Sequence, residues 1–235
     1  MTNELLFLIT LLAGAAFVPF AAYMGKAWMQ GYVVMITLLL GITDAKVVMV
    51  FGLPITLGTA LYATIFLATD VITENFGAKA ARETVKITVF AALAFQFFLQ
   101  AIRIAVPAED VIALAAAMDT VFTTSARLVF AGLFVFFISQ YLDIWLYERI
   151  RRRTGDRHLW LRNNGSTIIS QLFDTFAFAF LAFYGTFDGW LQLAAVAYGV
   201  KVMVTLADTP FAYLSRAIVR MSGTKQAVAG VDGAG

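Results

Sequence analysis

The chain has 235 residues, of which 61% are hydrophobic and 14% charged, with a formal net charge of +2; its mean hydropathy is +0.82. A water-soluble domain is about 45–50% apolar and about 25% charged, so this excess has no place in a soluble core and the chain reads as an integral membrane protein. The small net charge argues against nucleic-acid binding. The absence of cysteine, with a single histidine at His158, excludes disulfides, thiol nucleophiles and a Cys/His metal centre.

Seven apolar segments follow one another, at 4–24, 32–51, 55–74, 86–106, 127–147, 166–186 and 190–215. Each approaches the roughly 20 residues that cross a bilayer as a helix. The first lacks a basic leader region, carries Glu4 and runs straight into further spans, so it is expected as a retained helix rather than a signal peptide. Phe51-Gly52-Leu53-Pro54 is a turn signal between the second and third segments. The stretch from Pro107 to Ser125 is less regular, and its apolar part, 111–118, is too short to span. The tail from Ser222 to Gly235, rich in Gly and Ala, is expected to be disordered. The fold class is therefore all-α, a polytopic bundle in a membrane.

Charge sets the expected orientation. Lys26, Lys79, Arg82 and Lys86 fall in two loops on one side. Arg149, Arg151, Arg152, Arg153, Arg157 and Arg162 fall in the next loop there, and Arg216, Arg220 and Lys225 lie beyond the last span. The opposite turns, around Gly52, Pro107–Ser125 and Tyr184–Gly189, hold no Lys or Arg and carry Glu109, Asp110, Asp119 and Asp188. The positive-inside rule then puts the C-terminus in the cytoplasm and, with seven spans, the N-terminus outside.

The polar residues of the spans recur at helical spacing. Gln96, Gln100 and Arg103 follow i, i+4, i+7 in the fourth segment, and Lys201, Thr205 and Asp208 do so in the seventh. Asp70 and Glu74 share a face of the third. The fifth contains Ser139-Gln140-x-x-Asp143 and the sixth Ser170-Gln171-x-x-Asp174, while Asp44 and Lys46 lie in the second. A charge at the centre of a membrane helix costs about 2.5–3.5 kcal/mol on insertion scales, so such residues face a protein interior or a wet centre. Two readings stand at this point: interhelical bonding, and the lining of a polar site. Carboxylates accept paired N–H groups, carboxamides satisfy a carbonyl plus an N–H, and aromatic rings stack on flat heterocycles. A guanine-like base fits that set, as do other amides and cations. Phe173, Phe176, Phe178, Phe180 and Phe183 offer stacking faces or lipid contacts, and Trp28, Trp160 and Trp190 mark span boundaries.

Four stretches carry a resemblance. They are Phe66-Leu-Ala-Thr-Asp70-Val-Ile-Thr-Glu74-Asn-Phe-Gly77-Ala-Lys79-Ala-Ala-Arg82, Gln140-Tyr-Leu-Asp143 before a basic stretch, Ser166-Thr167-x-x-Ser170-x-x-x-Asp174-Thr175, and Lys201 in Tyr198-Gly-Val-Lys201-Val. Together they resemble the signature of the queuosine precursor transporters, also called the vitamin uptake transporter family, over 32–218. Asp44 and Asp208 lie outside the motifs that carry the likeness.

The resemblance implies a six-helix core at 31–220, preceded by an added transmembrane helix and linker at 1–30 and followed by a tail at 221–235. It implies import of 7-cyano-7-deazaguanine or 7-aminomethyl-7-deazaguanine through the inner membrane of the cell, with no catalysis, cofactor or metal. The expected partners are a small purine-like substrate and the lipid bilayer; a homo-oligomer stays open. Asp70, Gln140, Asp143, Gln171, Asp174 and Lys201 are the expected substrate-binding residues. Glu74, Asp44, Lys46, Asp208, Gln96, Gln100 and Arg103 are the candidates for coupling or gating. Two rival readings remain: a binding subunit for a separate ATP-driven module, and an intramembrane aspartyl enzyme with Asp143 facing Asp174.

Overall fold

The computed structural model describes residues 2–43, 46–122, 126–155, 157–185, 188–221 and 223; Asp44 and nearly all of the expected tail lie outside them. In chain order the elements are α1 (Asn3–Met24), α2 (Lys26–Thr43), β1 (Val47–Val50), β2 (Leu53–Thr56), α3 (Gly58–Arg103), a 3-10 turn (Glu109–Val111), α4 (Ile112–Phe122), α5 (Ala126–Thr154), α6 (Leu159–Phe183) and α7 (Trp190–Met221). Among the described residues six helices, all but α4, are long and apolar enough to cross a membrane. Exposed Leu12, Phe17, Phe20, Phe90, Phe97 and Phe98 give the outer surface its apolar character, as a lipid-facing wall requires.

The second expected span needs correction. The helix begins earlier, at Lys26, and stops at Thr43; 47–56 folds instead as a hairpin, with Val47 opposite Thr56 and Val50 opposite Leu53. Val47, Val48, Val50, Ile55 and Thr56 are β-branched and suit a pleated ribbon better than a helix. Phe51 and Gly52 both have positive φ, 50° and 76°, which a tight two-residue hairpin turn demands. Asn3 Nδ2 donates to Met49 O at 3.0 Å, tying the hairpin to the start of α1.

The third and fourth expected spans are continuous in α3, whose 46 residues are broken at Gly77 (φ 86°, ψ 160°). A straight helix of that length would measure roughly 69 Å against a hydrocarbon core of roughly 30 Å. The parts 58–76 and 78–103 each suit one crossing. The chain turns back at Gly77, in a backbone region that only glycine adopts freely. Just beyond it, Arg82 pairs with Glu148 late in α5 and Glu83 with Lys26 at the start of α2. The start of α5 lies at the opposite end, where Arg127 Nε and Nη2 donate to Leu181 O and Tyr184 O (2.6 and 2.8 Å). Glu74 before Gly77 and Arg82 after it meet adjacent residues of α5, Tyr147 and Glu148, as a chain folding back at Gly77 brings about. Six helices with one reversal thus hold the seven expected spans.

The bundle has a hairpin end and a basic end. α5 packs on α6, α6 on α7, α3 on α5 and α7, and α1 against α2, α3 and α7. α1 crosses α3 closely at Gly14, where an added Cβ would lie 3.1 Å from Thr64 Cγ2. Tyr32 OH from α2 closes this junction, donating to Gly14 O (2.8 Å) and sharing a hydrogen bond with Thr64 Oγ1 (2.9 Å). The basic loop is also corrected. Arg149 and Arg151 to Arg153 belong to the last turns of α5, and Arg162 lies inside α6, fully buried.

Candidate functional site

Because α5 and α6 are antiparallel, their two Ser-Gln-x-x-Asp motifs meet head to tail. Ser139 Oγ donates to Asp174 Oδ1 at 3.0 Å and Ser170 Oγ to Asp143 Oδ1 at 2.8 Å. Spacing of i, i+4 puts serine and aspartate on one helix face, so the antiparallel register satisfies both pairs at once. Each aspartate is held by the other motif's serine.

Asp174 is the hub nearer the hairpin end. Its Oδ1 also accepts from Tyr62 OH of α3 at 2.7 Å, and its Oδ2 pairs with Lys201 Nζ of α7 at 2.9 Å. Lys201 donates further to Thr175 Oγ1 (3.2 Å) and lies 4.4 Å from the centroid of the Tyr62 ring. Four helices therefore converge on one carboxylate. The ring facing it is Tyr62, edge-on to Phe66. The phenylalanines of α6 turn elsewhere: Phe173 and Phe180 are exposed, Phe176 packs on Tyr198, and Phe178 on Phe183.

Deeper toward the basic end, Thr167 Oγ1 donates to Asp70 Oδ2 at 3.2 Å. The Asp70 and Asp143 carboxyl groups adjoin, and Asp208 of α7 follows, bonded by Asn163. Asp70 Oδ1, Asp143 Oδ2, Asp208 Oδ1 and both amide atoms of Gln140 and Gln171 are buried without a hydrogen-bond partner among the described residues. Leaving such a group unpaired costs about 1–3 kcal/mol, and native interiors rarely do so. These seven atoms give the stretch of the bundle where they lie a polar lining of acceptors and amide donors. The six expected binding residues thus lie together, and all but half-buried Lys201 are closed off from the surface. In the rival reading Asp143 faces Asp174; here Asp143 adjoins Asp70 and Lys201 engages Asp174.

Of the coupling and gating candidates, Glu74 stands out. Its Oε1 and Oε2 take a two-pronged contact from Arg162 Nη2 and Nε (2.8 and 3.0 Å), and Tyr147 OH donates to Oε2 at 2.9 Å. Arg216 Nε lies 3.2 Å and Arg151 Nη1 3.9 Å from the same carboxylate. Arg162 Nη1 meanwhile donates to Gly155 O and Arg157 O (3.2 and 3.0 Å). This knot ties α3, α5, α6 and α7 together at the basic end. Asp208 joins the buried cluster, whereas Lys46 is exposed. Gln100 and Arg103 bond one another at 2.9 Å near the far end of α3, with Gln96 half-buried a turn away, so that stripe lies apart from the knot.

Tyr62, Tyr147 and Arg162 were not among the expected site residues. Arg162 had a usable signal, since 162, 166, 170 and 174 form one i+4 series of polar residues on α6. Nothing local distinguishes the two tyrosines from interfacial ones.

Residues 56–215 match the family described as "putative vitamin uptake transporter". The chain is 38% identical over 198 residues to a probable queuosine precursor transporter of Bacillus subtilis (strain 168), covering 83% of this chain and 86% of the relative. It is 29% identical over 164 residues to the queuosine precursor transporter of Escherichia coli (strain K12), covering 68% and 71%. No solved structure matches. The matched stretch contains the buried cluster from Tyr62 to Asp208 and the turn at Gly77. The chain is a multi-pass membrane protein and belongs to the vitamin uptake transporter family.

Proposed function

We propose that the chain imports a queuosine precursor, a deazaguanine base, into the cytoplasm through the inner membrane of the cell. The observation that carries this reading is the set of buried polar atoms without a partner among the described residues, both amide atoms of Gln140 and Gln171 with one oxygen each of Asp70 and Asp143, on the same helices as the Asp174–Lys201 pair or packed against them. A deazaguanine offers a ring N–H beside an amino group, which a carboxylate accepts together, and a carbonyl beside them, which a carboxamide N–H meets. The Tyr62 ring supplies a flat face. The names of the relatives point to the same substrate class.

The placement of the cluster supports alternating access. Midway along the bundle, the site must open to one end and then to the other. The Glu74 knot closes the basic end in this conformation, and the basic end is the cytoplasmic one by the positive-inside rule. The C-terminus then lies inside and the N-terminus outside. The transporter core occupies 31–220 and 1–30 buttresses it through the Gly14 crossing.

The test is uptake of labelled precursor by a strain blocked in its synthesis. Cells with the protein are expected to accumulate base and queuosine-modified tRNA at low external supply. Normal accumulation in cells lacking it would refute the reading. Gln140→Ala and Gln171→Ala are expected to weaken uptake without removing the protein from the membrane.

A further inference from the structure

The five carboxyl groups inside the bundle do not share counter-charges evenly. Asp174 has Lys201 at 2.9 Å; Glu74 has Arg162 at 2.8 Å, Arg216 at 3.2 Å and Arg151 at 3.9 Å. Asp70, Asp143 and Asp208 are bonded by neutral groups instead: the Thr167 and Ser170 hydroxyls and the Asn163 carboxamide. Among the described residues four basic side chains thus face five acids, one short of neutrality.

The missing charge has a place to sit. Asp70 and Asp143 adjoin, both are buried to within 1% of full enclosure, and among the described residues each keeps one oxygen without a hydrogen-bond partner, Asp70 Oδ1 and Asp143 Oδ2. Two adjoining buried carboxyl groups with no cation between them do not both stay ionised. A proton on one, donated to the other, satisfies both orphan oxygens. The surrounding groups leave that place open. On α3, Glu74 lies one turn on; on α5, Tyr147 donates to Glu74; on α6, Arg162 spends its donors on Glu74, Gly155 and Arg157; on α7, Asp208 adds a further acid. Gln140, fully buried and without a hydrogen-bond partner among the described residues, stands three residues before Asp143 on the same helix.

We propose that Asp70 and Asp143 form a proton-binding dyad that couples import of the base to inward movement of one proton. The inference rests on the reading of this cluster as the substrate site. The dyad takes a proton from outside water as the base binds. After the Glu74 knot opens, the O–H bond breaks and the proton passes to cytoplasmic water as the base leaves.

The test uses the full chain in sealed vesicles with membrane potential clamped, and 7-cyano-7-deazaguanine, which carries no charge for the gradient to act on. Acid outside is expected to concentrate the base within, about tenfold per pH unit for one proton per base, and a protonophore to abolish the excess. Asp143→Asn is expected to lose concentrative uptake and Asp143→Glu to retain it. Gel filtration distinguishes a folding failure, and in that event the wild-type gradient measurement decides alone. Equal final levels with and without the gradient, accumulation driven by sodium instead, or concentrative uptake by Asp143→Asn would each overturn the dyad while leaving the substrate intact. Absence of transport for both the cyano and aminomethyl bases would overturn the substrate reading and the dyad together.

Discussion

Replacing Glu74 with glutamine is expected to destabilise the basic end of the bundle more than any other single carboxyl replacement. Arg162 is wholly buried, and two of its nitrogens bond Glu74 at 2.8 and 3.0 Å while Tyr147 OH adds a third bond at 2.9 Å. Glutamine keeps the volume and one acceptor oxygen but removes the charge, so the guanidinium stays enclosed with neutral acceptors alone on this side, the glutamine oxygen, Tyr147 OH, Gly155 O and Arg157 O. Removing one partner of a buried pair costs about 3–5 kcal/mol. For a chain of this size that corresponds to a drop of about 6–20 °C in melting temperature. The assay is thermal unfolding in detergent, followed by loss of monodispersity. The double variant Glu74→Gln with Arg162→Met removes the stranded charge and is expected to recover part of the loss, giving a non-additive cycle. A single variant that melts like the wild type, or a cycle that is strictly additive, would refute the knot as an energetic unit.

Gly77→Ala forces a side chain into φ 86°, ψ 160° and is expected to cost about 1–3 kcal/mol, read as an earlier melt. Tyr32→Phe removes the hydroxyl that joins Gly14 O to Thr64 Oγ1, at about 0.5–1.5 kcal/mol, with transport retained per folded molecule. Lys201→Met leaves Asp174 without its cation. Loss of a charged hydrogen bond of about 1.5–3 kcal/mol is expected to weaken binding of 7-cyano-7-deazaguanine about 10- to 150-fold, measured by calorimetry on the purified protein.

Hydropathy located α1, α5, α6 and α7 to within a few residues at most of their ends, because lipid tolerates no break in the apolar run that faces it. It missed the hairpin at 47–56, where an apolar composition serves a ribbon as well as a helix and only β-branching and the Phe51-Gly52 turn tell them apart. It separated 55–74 from 86–106 but not at the residue that divides them, since a reversal made by one glycine needs no polar loop. The Ser-Gln-x-x-Asp repeat was visible as two faces. That Ser139 serves Asp174 and Ser170 serves Asp143 was not, because register between helices depends on how they are rotated and slid against each other.

From its residues alone this chain declared itself a membrane bundle with acids held inside and bases gathered at one end, since burial in lipid penalises each misplaced charge locally, one helix at a time. Which acid meets which base was settled by packing. Arg162 counts as a surface cation along the chain and becomes the enclosed partner of Glu74 only when α3, α5, α6 and α7 close around it. A helical period specifies the face on which a side chain stands, whereas its partner depends on which face of which neighbour comes to rest opposite.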